Sequence, residues 1–120
     1  MSAQVISIKD AGDLSNERVV IKIRASLDIG VYLLLCTKFE DGSVTNEVVN
    51  TYWFPDEEIH EGDVVVLYTK GGRDKARQNK SGNKTYFFYW GEKSPLWERS
   101  DRAAVLIRSR SWQGFTVDDS

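Results

Sequence analysis

Apolar and polar residues along this chain alternate in short runs with a period of two, the spacing of β-strands. Val5, Ile6 and Ile8 predict a first short strand, closed by the turn-rich Asp10-Ala11-Gly12-Asp13. Val19, Ile21, Ile23 and Ala25 alternate with Lys22 and Arg24 and predict a half-buried strand. Ser26 to Gly30 reads as a connection. Val31 to Phe39 is apolar on both faces in its first half, as expected of a central strand. Asp41-Gly42 predicts a tight hairpin, because these residues accept positive φ. The return strand, Val44 to Phe54, is expected to be irregular near Asn46 and Asn50, and Pro55 closes it.

An acidic connector, Asp56 to Asp63, leads into Val64 to Thr69, the clearest strand of the chain. Gly71 to Lys84 reads as a polar loop holding Gly71, Gly72 and Gly82. It delivers the chain into Thr85 to Gly91, the densest aromatic run. There Tyr86, Phe88 and Trp90 fall on one face and Phe87 and Tyr89 on the other. Rings on both faces predict a strand covered on both sides. After Ser94-Pro95, Ala103 to Ile107 predicts another strand, and Trp112 to Val117 a last one. No helical periodicity exceeds about two turns. The pattern predicts an all-β fold, an immunoglobulin-like antiparallel β-sandwich of roughly seven to nine strands, with barrel closure as the competing architecture.

Length adds that residues 1–120 make one domain, with no internal repeat and no linker. Hydrophobic content of 41% and charged content of 28% are ordinary globular values. The single cysteine, Cys36, lies in an apolar run and reads as a small buried hydrophobe. The N-terminal residues show no basic start followed by an apolar run, and no segment approaches the roughly 18 apolar residues of a membrane span. The expectation is a cytoplasmic protein that engages no membrane. A net charge of −2 gives no global electrostatic case for nucleic acid.

Leu27-Asp28-Ile29-Gly30-Val31-Tyr32-Leu33-Leu34, then Phe54-Pro55 with Ile59 to Leu67, then Trp97 with Asp101 to Leu106, follow in an order and spacing that resembles lamin tail domains. The likeness runs from about Val5 to Val117. Tyr32 stands where that family commonly has Trp, and Arg108 to Gly114 replaces its acid-x-x-Gly hairpin. The resemblance implies an immunoglobulin-like sandwich used as an interaction module. Its implied partners are proteins first and nucleic acid second, and such domains often accompany nucleases or other hydrolases without catalysis of their own.

Catalytic chemistry finds little support. His60 sits among Glu57, Glu58, Glu61 and Asp63, but no Ca²⁺-loop spacing and no second His or Cys accompanies it. No Gly-x-Ser-x-Gly elbow or phosphate-cradling loop is present. The expectation is a non-enzymatic chain with no metal and no cofactor.

Charge patterning singles out one segment. Lys70, Arg73, Lys75, Arg77, Lys80 and Lys84 stand against Asp74 alone. Such a loop could neutralise phosphates. It reads more readily as a hairpin kept in solution by its charge, or one that meets the acidic connector. Aromatic residues interleaved with these cations would strengthen the nucleic-acid case, and the loop holds none. Arg108, Arg110 and Trp112 could supply a flanking edge. Trp97 and Trp112 also suit a carbohydrate-binding module, although Trp97 reads better as core. An accessory role beside a nucleic-acid-processing enzyme remains a further alternative.

Overall fold

The period-two runs become strands, and the turn residues become the corners between them. The computed structural model describes residues 1–119, with ten strands among them. In chain order they are β1 (Ala3–Lys9), β2 (Arg18–Ile23), β3 (Leu27–Asp28), β4 (Tyr32–Glu40), β5 (Ser43–Trp53), β6 (Glu58–Ile59), β7 (Val64–Tyr68), β8 (Lys75–Gln78), β9 (Lys84–Tyr89) and β10 (Arg102–Arg108). Two 3₁₀ turns, Ile29–Val31 and Val117–Asp119, are the only helical pieces among the described residues.

The strands form a five-stranded sheet in the order β1-β2-β7-β9-β8, a three-stranded sheet β10-β4-β5, and a small ribbon β3-β6. The two larger sheets share one core. Val19, Ile21, Ile23, Val65, Leu67, Tyr86 and Phe88 come from the first, and Tyr32, Leu34 and Cys36 from the second. Rings join them: Phe54 meets Phe88 edge-on at 5.3 Å between centroids, and Tyr52 lies 5.9 Å from Trp90. Trp97 is buried, so it is a core residue and not a surface for sugar rings.

The expected hairpin forms at Asp41 (φ 53°) and Gly42 (φ 73°), the pair of positive angles that turns a chain in two residues. The expected irregularity in β5 is also present. Cys36 faces Asn50, Thr37 faces Val48 and Phe39 faces Val44, so β5 bulges there, and the Thr45 hydroxyl donates to the Lys38 carbonyl at 3.0 Å.

Four expectations need correction. The sheets are not all antiparallel, because β7 and β9 pair in parallel, Val64 with Thr85 through Tyr68 with Tyr89. The reason lies in the second correction: the polar loop contains a strand. β8 turns back along β9 on its far side, so β9 slots between β7 and β8 and runs the same way as β7. Third, Trp112 to Val117 forms no strand; it finds no ladder partner and lies exposed. Fourth, β9 is covered on one face only. Tyr86 and Phe88 enter the core, whereas Phe87 and Tyr89 point outward and stay half-buried.

One buried carboxylate ties the loops at one end of the five-stranded sheet. Glu17 is fully buried and accepts hydrogen bonds from Gly12 N–H (2.9 Å), Leu96 N–H (2.7 Å), Trp97 N–H (3.4 Å) and the Thr69 hydroxyl. Burying a charge is tolerable only when it is bonded in this way. It clasps the β1–β2 turn, the end of β7 and the segment before β10.

Candidate nucleic-acid interface

The outward face of the five-stranded sheet follows from its register. One row across it holds Lys9, Arg18, Tyr68 and Tyr89. The next holds Ser7, Val20, Val66, Phe87 and Lys75, and a third Lys22, Val64, Thr85 and Arg77. These rows contain no Asp or Glu. In a chain with more acidic than basic residues, this face carries Lys9, Arg18, Lys22, Lys75 and Arg77 and no acid in its rows. The carboxylates collect elsewhere, as at the ribbon end, where Asp28, Asp56, Glu57 and Glu58 line a shared cleft.

The face has a centre. Tyr68 stacks on Tyr89 (5.4 Å, 9° between planes) and lies 6.4 Å from Phe87. Cations lean on these rings: the Lys70 Nζ is 4.9 Å and the Arg18 guanidinium 6.0 Å from the Tyr68 centroid, and Arg77 and Lys75 are 5.3 and 5.8 Å from Phe87. An exposed cation over a ring gains only about 0.5–1 kcal/mol. That is enough to hold the side chains in place and too little to neutralise them. Arg18 is paired with Asp10 at 2.7 Å. Among the described residues, Lys70, Lys75 and Arg77 have no carboxylate within ion-pairing distance. The basic segment therefore does not spend its charge on the acidic connector.

Tyr68, Lys70, Lys75, Arg77, Phe87 and Tyr89 enclose an open groove of about 450 Å³. Gly72 makes the close approach that shapes its rim. A Cβ there would lie 2.5 Å from the Tyr89 ring, so only a glycine lets the chain pass so near. At the opposite end of β9, Asp63 fixes the strand start. Its carboxylate accepts from Lys84 N–H and His60 N–H, each at 2.9 Å. Burial works to raise the Asp63 pKa, but these backbone bonds and the Asn83 amide outweigh it and hold the carboxyl below its usual range. The hairpin between β8 and β9 closes through Asn79 N–H to Asn83 O (2.8 Å) and Gly82 at φ 91°.

The six cations singled out in the sequence divide. Lys70, Lys75 and Arg77 converge on the rings. Arg73 lies in the exposed link to β8, Lys80 at the hairpin tip, and Lys84 opposite Gln78, and none of the three contacts the rings. The flanking edge is not brought to this face. Arg108 ends β10 of the other sheet, and Trp112, outside any strand, stands edge-on to Trp53 of that sheet at 5.1 Å. There Leu33, Trp53, Ile107, Arg110 and Trp112 line a second groove, of about 440 Å³. Trp53 is pinned by its indole N–H donating to Gly30 O at 2.8 Å.

Arg18, Tyr68, Phe87 and Tyr89 were not legible as site residues, since rings on a central strand read as core. The available signal was the matched alternation of Lys75 and Arg77 with Phe87 and Tyr89 across a Ser81-Gly82-Asn83 turn.

Among the described residues, no three His, Cys, Asp or Glu side chains gather as a metal would require. The Cys36 thiol is pushed up to about 11, by burial above all with Arg102 opposing, and at neutral pH it is an un-ionised thiol inside the core. No helix among the described residues is long and apolar enough to cross a membrane. No family model and no curated protein matches the chain.

Proposed function

We propose that the chain is a non-catalytic interaction module, an immunoglobulin-like sandwich similar to lamin tail domains, that binds nucleic acid on the outward face of its five-stranded sheet. The observation that supports this reading is the set of Lys70, Lys75 and Arg77, none paired with a carboxylate, gathered around Tyr68, Phe87 and Tyr89. Unpaired cations gain more from phosphates than from water, and each phosphate neutralised releases counterions, so affinity falls with salt. The resemblance put proteins first among partners; the unpaired cations at the rings move nucleic acid ahead of them. A glycan-binding module is the second reading, favoured by Trp53 (48% exposed) and Trp112 (69% exposed) lining one groove.

The test of the first reading is the salt dependence of oligonucleotide binding. Exchanging Lys70, Lys75 and Arg77 for Ser should reduce the slope of log affinity against log salt by about 2, at roughly 0.7 per phosphate on a single strand. Exchanging Arg108 and Arg110 for Ser should leave the slope unchanged. A slope indifferent to the first set and sensitive to the second would move the site to the other sheet.

A further inference from the structure

We propose, resting on the nucleic-acid reading above, that this face selects single strands over duplexes by seating an unpaired base in the groove above Phe87 and Tyr89. The groove's volume of about 450 Å³ falls in the range of small-ligand sites. Its floor is aromatic and its rim cationic, the pairing that single-strand binders use: rings stack on bases while cations follow the backbone. A duplex keeps its base faces stacked inside and offers phosphates and base edges. Against a duplex the cations would be used and the rings would have no partner.

The positions of the cations make the exchange feasible. Lys75 and Arg77 lie on β8, whose four residues are all exposed at the sheet edge. In the free protein they rest over Phe87 and bind no carboxylate. When a base takes the ring face, the side chains swing outward to the flanking phosphates. The weak cation–ring contact is exchanged for stacking and a charge pair. Lys and Arg on an edge strand are also an ordinary guard against strand-to-strand pairing. Such a guard accounts for the charges of β8. It does not account for Phe87 half-exposed beneath them, with Tyr68 and Tyr89 stacked alongside.

The experiment is fluorescence anisotropy with the full chain at fixed salt, using a labelled oligo-dT strand, a duplex of the same length, and unlabelled inorganic polyphosphate as competitor. The expected result is at least ten-fold tighter binding to the single strand. Phe87→Leu keeps an apolar side chain of similar bulk, so the sheet should remain folded by circular dichroism. It should weaken single-strand binding about ten-fold, leave duplex binding unchanged and keep the salt slope. Equal or tighter duplex binding, or Phe87→Leu without effect on the single strand, overturns the base-seating proposal and leaves the broader reading standing. Polyphosphate displacing the strand as well as unlabelled oligo-dT does, phosphate for phosphate, also overturns base seating. No binding of either nucleic acid overturns both.

Discussion

The outward faces of the two sheets use exposed aromatic residues in opposite ways. On the five-stranded sheet, the charged ends of Lys70, Lys75 and Arg77 rest over Tyr68 and Phe87, Tyr89 stacks on Tyr68, and no carboxylate pairs with those three cations. On the three-stranded sheet, Trp53 is met edge-on by Trp112 and surrounded by Leu33 and Ile107, with Arg110 at the rim. The first face offers cations beside rings, the second an apolar groove with one cation at its rim. An exposed ring therefore says little alone; what leans on it decides the ligand chemistry.

The strongest way to disturb the contrast is to break what holds the loops beside both faces. Glu17→Ala would strand the N–H groups of Gly12, Leu96 and Trp97 and the Thr69 hydroxyl in a buried site. The expected loss is about 3 kcal/mol or more, read by urea unfolding. A loss under about 0.5 kcal/mol would mean the clasp is ornamental.

Two groups, one beside each sheet, should also respond to opposite ends of the pH scale. Asp63, at the β7–β9 end of the five-stranded sheet, has a folded pKa below its ordinary 3.8. It therefore stabilises the fold above that value, and the contribution is lost as pH falls through the lowered pKa. Cys36, in the three-stranded sheet, has a folded pKa raised from 9.0 to about 11. Its contribution is complete below 9 and is lost as pH rises between those values. Asp63→Asn should thus flatten the acid limb of a stability–pH curve and Cys36→Ala the alkaline limb. Each variant should leave the other limb as it was. If either flattened both limbs, the two groups would not act independently.

Much of the strand pattern was written in the alternation of the chain, including the Asp41-Gly42 turn and the bulge in β5. What the alternation could not carry was pairing order. Lys75-Ala76-Arg77-Gln78 has no strand-like composition and becomes a strand only because β9 offers it a ladder. Without β8 in place, the parallel partnership of β7 and β9 was invisible, and Phe87 and Tyr89 appeared to need a second covering layer. The basic residues were legible as a cluster. Their convergence on Tyr68 and Phe87 was not, because the rings come from other strands, outside the basic loop.

The most direct measurement is a backbone amide NMR titration with an oligo-dT strand. The account predicts shifts clustered at Tyr68 to Lys70, Lys75 to Arg77 and Thr85 to Tyr89, with Leu33, Trp53 and Ile107 unmoved. Shifts confined to the three-stranded sheet, or none at saturating strand, would contradict it.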